Sequence, residues 1–273
     1  MDLFVAETMV NMAQARAAVL GIRSVSQRPI WVTFTCDQDG RTPGGSDVLA
    51  AMIIMQGMGV SAFGLNCCDP NTALEQLERL APYATVPLIA KPNAGLPGPA
   101  GEYPYSPQDF AGLVPALAGA GAGIFGGCCG TGPDHIAALA RALEGVTPKA
   151  GLGCQDPDVI PCASETEARF ITPDVDVGET IECTPDLMED ILRAEEEAPQ
   201  GALKISILEQ DDVDMLAENQ YAIKDALCLY SDVPELLESA LRIYQGRAFW
   251  DGTGEMDKDF LDRMTRKYGL IQL

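Results

Sequence analysis

The sequence predicts an α/β protein: a run of parallel strands covered by helices, followed by a small α/β appendage. Through residue 147, short apolar runs bounded by turn residues alternate with segments of helical periodicity. About five strand–helix units of this kind follow one another, and such a series favours a parallel sheet. From about Val146 the composition changes to a stretch with several Pro and Gly residues, and shorter elements follow it.

The predicted elements can be assigned in chain order. In the first half we expect strands at 3–8, 30–36, 62–67, 87–91 and 123–127. Helices are expected at 12–25, 47–58, 71–83 with Asn71 as its N-cap, a segment capped by Ser106, and 133–143. In the appendage we expect an element at 170–177, strands at 202–208, 226–230 and 247–250, helices at 185–197, 212–223 and 234–244, and a helical tail at 255–273.

Charge and composition exclude several classes of function. The 273 residues include 40 acidic and 18 basic side chains, for a formal net charge of -22. Such a surface repels nucleic acid and anionic membranes. No apolar run reaches the roughly 18–20 residues that span a bilayer. Nine cysteines without a secretory signal favour a reducing compartment, so we expect a cytoplasmic protein.

Three cysteines at predicted strand ends suggest a metal site. Cys128 and Cys129 are adjacent in the glycine-flanked segment G-G-C-C-G-T at 126–131, and Cys67 ends the third predicted strand. Carboxyl ends of parallel strands lie at one rim, so these thiols are expected near one another. Three thiolates around Zn²⁺ leave one tetrahedral position open, as in catalytic sites. Buried structural cysteines or a closed zinc knot are the alternatives, and spacing alone does not decide between them.

A three-thiolate zinc site suits a thiol substrate. Coordination to Zn²⁺ deprotonates a thiol near neutral pH, whereas a free thiol with a pKa of about 8.5 is mostly protonated. The remaining candidates fit less well. We expect Cys36 and Cys68 not to be ligands, and His135, the single histidine, to be neither ligand nor base. A redox switch between vicinal cysteines is disfavoured because vicinal disulfides are strained.

The motifs around these cysteines resemble one family. They are G-L-N-C at 64–67, K-P-N-A-G-L-P at 91–97, G-G-C-C-G-T at 126–131 with P-D-H-I at 133–136, and D-Q-D-G-R-T at 37–42. In order and spacing, residues 1–147 resemble the zinc-dependent homocysteine S-methyltransferase domain. This is the type found in betaine–homocysteine methyltransferase and in the N-terminal module of methionine synthase.

The resemblance carries expectations about fold and site. It implies a partial TIM (β/α)8 barrel in residues 1–147, holding strands four to eight, with residues 148–273 as linker and a small α/β domain of unknown role. It implies that Cys67, Cys128 and Cys129 bind Zn²⁺ and act in catalysis. It further implies that Glu7 binds the homocysteine amino group, that Asn66 supports the metal loop, and that Asn93 does the same for the neighbouring loop.

The implied reaction is zinc-dependent methyl transfer to the thiol of homocysteine, giving methionine. The methyl donor stays open, since betaine, S-methylmethionine, methylcobalamin and methyl-folate systems share this acceptor site. Expected partners are therefore homocysteine, a methyl donor, a corrinoid or folate partner, and a second copy or a complementing N-terminal half. The alternative is a non-catalytic zinc-binding subunit or a truncated remnant, because the family's glycine-rich loop for the homocysteine carboxylate is missing here. The segments 226–232 and 246–251 faintly resemble strand edges of pterin-binding barrels, but we assign no folate site.

Overall fold

The computed structural model describes residues 2–147, 153–154, 156–197 and 201–273. The chain divides into two compact units. The first comprises Met1–Met52 and Val60–Gln155, and the second comprises Ile53–Gly59 and Asp156–Leu273. The boundary expected after residue 147 borders residues 148–152, which lie outside the described part. In the part that is described, no helix is both long and apolar enough to cross a membrane.

The first unit contains the parallel sheet that the alternating pattern predicts. Its strands are β1 (Phe4–Met9), β2 (Ile30–Phe34), β3 (Ala62–Asn66), β4 (Leu88–Lys91) and β5 (Ala122–Phe125). They pair in chain order and every pair is parallel. In the described residues β1 and β5 each pair with a single strand, so the sheet is open and no closed barrel is seen.

Six helices connect or follow these strands. They are α1 (Met12–Val25), α2 (Val48–Gly57), α3 (Pro70–Leu80), α4 (Pro107–Ala111), α5 (Val114–Gly119) and α6 (Pro133–Ala142). The expected N-cap of α3 was wrong. Asp69 caps this helix, because its side chain accepts a hydrogen bond of 2.9 Å from the Asn71 amide, and Pro70 fits the first helical position.

Ser106 caps α4 as expected. Its hydroxyl accepts a hydrogen bond from the Asp109 amide, and the Asp109 carboxylate accepts one from the Ser106 amide. The single helix expected after Ser106 is instead the pair α4 and α5. Pro115 explains the break, since it has no N–H to donate to the Ala111 carbonyl one turn earlier.

The second unit begins with an antiparallel hairpin, β6 (Ile160–Ala163) with β7 (Ala168–Ile171). A five-stranded parallel sheet follows, made of β8 (Thr180–Glu182), β9 (Ala202–Ser206), β10 (Ala226–Tyr230), β11 (Phe249–Trp250) and β12 (Ile271–Gln272), in the order β12-β11-β10-β9-β8. Its helices are α7 (Leu187–Glu197), α8 (Gln210–Asn219), α9 (Pro234–Ile243) and α10 (Lys258–Tyr268). The second unit is thus α/β, as expected.

Several strands of this unit differ from the expectations. Strands β6 and β8 were not expected, and the element expected at 170–177 corresponds to β7, which begins earlier and ends at Ile171. The strand expected at 247–250 is not the last one, because the tail is a helix followed by β12. Gly269 ends α10 with a φ of +78°, in the left-handed region that glycine adopts readily, and the chain then turns into β12.

A buried ion pair stabilises the second sheet. The Lys204 ammonium on β9 donates to the Asp251 carboxylate and to the Thr253 hydroxyl, each at 2.6 Å. The Lys204 and Asp251 side chains are only 10% and 12% exposed. Burial raises the pKa of Asp251, but the hydrogen bonds from Lys204 and Thr253 outweigh it, so the pKa lies below its usual value.

This pair predicts a pH-dependent contribution to stability. A carboxylate whose pKa is lower in the folded state stabilises the fold above its unfolded pKa of about 3.9, and this contribution is lost as pH falls through the folded pKa. We expect Asp251→Asn to lower the free energy of unfolding by about 3 kcal/mol at pH 7 and by clearly less at pH 3. Urea denaturation at both pH values measures this, with the exposed Asp214→Asn as control. An equal loss at both values would contradict the assignment.

Candidate metal centre

Three cysteine sulfurs converge at the carboxyl edge of the first sheet. Cys67 directly follows β3, and Cys128 and Cys129 follow β5 after two glycines. The Sγ atoms lie within 4.8 Å of one another, and those of Cys67 and Cys129 are 3.5 Å apart. Parallel strands place their carboxyl ends at one edge, so two distant sequence segments deliver their thiols to one point.

The loop after β4, residues 92–94, lies between the two cysteine segments and binds both. The Cys128 amide donates to the Pro92 carbonyl at 3.0 Å, and the Ala94 amide donates to the Cys129 carbonyl at 2.9 Å. The Asn93 side-chain oxygen accepts from the Cys129 amide at 3.1 Å, and the Asn93 amide donates to the Cys68 carbonyl at 3.0 Å. This loop therefore fixes the backbone of the cysteine segments at the point where they leave their strands.

Asn66 connects the metal loop to β1. Its side chain is fully buried. The side-chain nitrogen Nδ2 donates to the Thr8 hydroxyl at 2.6 Å and lies 3.7 Å from the Cys128 sulfur. The side-chain oxygen Oδ1 accepts a hydrogen bond from the Thr8 backbone amide at 3.2 Å. Asn66 therefore links β1 to the Cys128 thiol through one buried side chain.

The backbone beside the cluster is strained. Cys67 has a φ of +60° and Thr8 a φ of +57°, and they are the two non-glycine residues with positive φ in the described part of the chain. A β-branched residue such as Thr8 is unfavourable there. Strain of this kind persists where surrounding contacts impose it, and it concentrates at functional sites. Here the positive φ of Cys67 falls where the chain leaves β3, next to the three sulfurs.

Tyr103 lies beside the cluster. Its interaction with the Cys129 sulfur raises the pKa of the tyrosine hydroxyl and contributes to the lowered pKa of Cys129. Its ring lies against Gly130, which has a φ of +79°, and a Cβ atom there would lie 2.3 Å from the Tyr103 ring. A side chain at position 130 would thus both strain the backbone and displace the tyrosine.

The thiols influence one another electrostatically. Burial raises the pKa of Cys67 to about 12, and the neighbouring Cys128 and Cys129 sulfurs add to the rise. The hydrogen bond from Cys67, with a further one from Tyr103, lowers the pKa of Cys129. Deprotonation is thus favoured at Cys129 over Cys67, and three thiolates together would repel each other. A bound cation is what would allow all three to be deprotonated together.

The donor set fits Zn²⁺. With Zn–S bonds of about 2.3 Å in tetrahedral geometry, bound sulfurs lie about 3.8 Å apart. The sulfur separations here, 3.5 Å for Cys67 and Cys129 and at most 4.8 Å within the group, are close to that value. Three sulfur ligands also leave one tetrahedral position for an incoming ligand.

Cys36, Cys68 and His135 lie outside the three-sulfur group. The neighbouring Cys36 thiol, together with burial, raises the pKa of Cys68. His135 lies in the first turn of α6, where its Nδ1 accepts from the Gly132 amide at 3.2 Å and its Nε2 donates to the Tyr105 carbonyl at 3.0 Å. With Nδ1 accepting, the ring proton is on Nε2, and both nitrogens contact backbone.

Glu7 lies at the same edge, where β1 is irregular. The register of β1 against β2 shifts between Ala6 and Met9, and the exposed Glu7 carboxylate forms an ion pair with the Lys91 ammonium. Sequence reasoning did not single out Lys91, Thr8 or Tyr103. Lys91 had one available signal, its place as the first residue of the K-P-N-A-G-L-P motif. Neither Thr8 nor Tyr103 carries a comparable signal.

An open parallel sheet with a three-thiol centre at its carboxyl edge defines an α/β protein with a candidate thiolate metal site. The family model for homocysteine S-methyltransferase matches residues 1–143, just over half of the chain. The chain belongs to the homocysteine S-methyltransferase family, as the sequence motifs indicate.

Curated relatives and solved structures each match about half of the chain. Methionine synthase from Mycobacterium leprae is 38% identical over 162 residues, which are 54% of this chain and 13% of that protein. Methionine synthase from Mycobacterium tuberculosis is 37% identical over 155 residues, 53% of this chain and 13% of that protein. The chain thus spans about an eighth of the length of these relatives. The apo form of the Escherichia coli homocysteine methyltransferase MmuM is 27% identical, with a TM-score of 0.44 over 52% of this chain and 49% of that one.

Proposed function

We propose that the chain binds Zn²⁺ through Cys67, Cys128 and Cys129 and transfers a methyl group to the thiol of homocysteine, giving methionine. The observation that carries the proposal is the convergence of these three sulfurs at the carboxyl edge of the sheet, in a chain of this family. All nine cysteines are free, which suits a reducing compartment such as the cytoplasm.

We also propose that the first sheet is an arc of a TIM barrel, strands four to eight, formed by residues 1–147, with 148–273 as a linker and a separate small domain. The Thr8–Asn66 hydrogen bond supports this arc. In a flat sheet β1 and β3 lie about 10 Å apart, and an asparagine side chain reaches only about 4 Å. Thr8 and Asn66 nevertheless form direct hydrogen bonds across β2. The ion pair between Glu7 on β1 and Lys91 on β4 crosses two intervening strands. Both contacts fit a sheet that curls inward.

Each residue of the site has a role in the proposed reaction. When bound, Zn²⁺ supplies Lewis-acid stabilisation that lowers the pKa of a coordinated thiol. The three cysteines hold the ion, Asn66 orients the Cys128 sulfur, and Asn93 fixes the Cys129 backbone. The Glu7 carboxylate binds the substrate ammonium. The substrate sulfur attacks the methyl carbon in line, the bond from carbon to the donor breaks, and the thiol proton passes to water.

X-ray absorption on the zinc-loaded chain tests the proposal. We expect three sulfur neighbours and one lighter neighbour without homocysteine, and four sulfurs after homocysteine is added. Methionine formation with each donor class is then measured on the same sample. Fewer than three sulfurs would reject the ligand set, and an unchanged spectrum with homocysteine would reject the acceptor.

The second candidate is a zinc-binding subunit or remnant without catalysis of its own. The open sheet favours it, because in the described residues β1 and β5 each leave one edge unpaired. A complementing chain or a second copy would then supply the missing strands. Three sulfur neighbours that persist unchanged with homocysteine, together with no methionine from any donor, would favour this candidate over the enzyme.

A further inference from the structure

We propose that Lys91 binds the α-carboxylate of the amino-acid substrate while Glu7 binds its ammonium group, so that the Glu7–Lys91 ion pair is a recognition site for a zwitterion. This inference rests on the proposed function, whose acceptor is homocysteine. It adds a residue that determines specificity at the same site.

The position of Lys91 relative to the sulfurs is fixed by backbone contacts. Lys91 ends β4 and pairs in register with Asn66, which contacts the Cys128 sulfur. Its carbonyl accepts a hydrogen bond from the Cys67 amide at 3.3 Å. Lys91 is therefore hydrogen-bonded through its backbone to Cys67, one of the three cysteines of the group.

The Lys91 side chain lies over the end of β5. A Cβ atom at Gly126 would lie 3.0 Å from Lys91 Cγ and 3.3 Å from its Cε, so the absence of a side chain at 126 makes room for the lysine stem. Gly126 is two residues before Cys128. The stem thus runs along the cysteine segment, and its ammonium meets the Glu7 carboxylate from β1.

The charges of this pair are complementary to those of an α-amino acid. An ammonium and a carboxylate stand side by side, and a zwitterionic substrate offers one carboxylate and one ammonium in return. The Lys91 and Glu7 side chains are 24% and 43% exposed, so the pair is accessible and opening it costs little. Exchange keeps every charge paired. The lysine also matters because a chain with a net charge of -22 otherwise repels a carboxylate.

Calorimetric titration of the full zinc-loaded chain tests this inference with three thiols. Homocysteine carries both charged groups, 3-aminopropane-1-thiol lacks the carboxylate, and 4-sulfanylbutanoate lacks the ammonium. In the unaltered chain, 3-aminopropane-1-thiol is expected to bind at least about tenfold more weakly than homocysteine. Lys91→Met should weaken the binding of homocysteine by a similar factor and leave the affinity for 3-aminopropane-1-thiol unchanged. Lys91→Arg should restore most of the homocysteine affinity.

Two controls separate the possible failures. Lys224→Met, at an exposed lysine of the second unit, should leave all three affinities unchanged. Glu7→Gln should weaken the binding of homocysteine and of 3-aminopropane-1-thiol but not the binding of 4-sulfanylbutanoate. Homocysteine binding that is equal or tighter in Lys91→Met would overturn the inference while leaving the proposed function standing. If the unaltered, zinc-loaded chain binds none of the thiols, the proposed function itself fails, and this inference fails with it.

Discussion

Replacing Cys128 with alanine is expected to lower the affinity of the chain for zinc by about three orders of magnitude. Structural zinc sites with four ligands bind with apparent free energies of about 10–16 kcal/mol, so one lost thiolate corresponds to about 4 kcal/mol. In the described residues no other thiol belongs to the three-sulfur group, and the neighbouring Cys68 is buried. Methyl transfer should fall with zinc retention.

Competition with a chelator of known affinity measures this change. The matched control is Cys154→Ala, which removes a half-buried thiol outside the three-sulfur group and should leave zinc affinity within about twofold. Zinc affinity and methyl transfer that survive unchanged in Cys128→Ala would reject Cys128 as a ligand. A collapse of affinity in both variants would point to general unfolding, which circular dichroism detects.

The second large effect is expected from Asn66→Ala. This change removes both hydrogen bonds to Thr8 and the contact with the Cys128 sulfur, and it weakens the support of the strained Thr8 backbone. We expect the free energy of unfolding to fall by about 2–4 kcal/mol, and zinc affinity to fall about 10–100-fold. Urea denaturation of the zinc-free chain and chelator competition measure the two quantities.

The control for Asn66 is Asn71→Ala, an exposed asparagine in the first turn of α3. It should change the free energy of unfolding by less than about 0.5 kcal/mol and leave zinc affinity unaltered. If Asn66→Ala lowers stability but retains full zinc affinity, Asn66 supports the sheet alone, and its proposed role in orienting Cys128 is wrong.

Apolar periodicity predicted the regular elements well. Helix α1 and strand β10 have the bounds expected from the sequence, because each is a continuous segment with clear burial on one or both faces. Strands β8 and β12 were missed, since two or three residues are too few to show a period. The break between α4 and α5 was also missed, although Pro115 marks it.

The candidate site was predictable in part. The cysteine motifs indicated which thiols would meet, and the structure brings Cys67, Cys128 and Cys129 together, while their role as ligands stays a prediction. The left-handed backbone at Thr8 could not be predicted, because a threonine gives no local reason to adopt it. The Glu7–Lys91 ion pair was equally hidden. Its two residues are 84 positions apart and lie on strands that do not pair with each other.

The contacts of His135 determine how any acidity profile of this protein is to be interpreted. Histidine is the side chain whose ordinary charge change falls between about pH 5 and 8, and this sequence has one. Its two ring nitrogens already form hydrogen bonds with the Gly132 amide and the Tyr105 carbonyl, so the imidazole is not available to transfer a proton to or from a reactant. A change in activity near neutral pH would therefore not be evidence of proton transfer by this histidine.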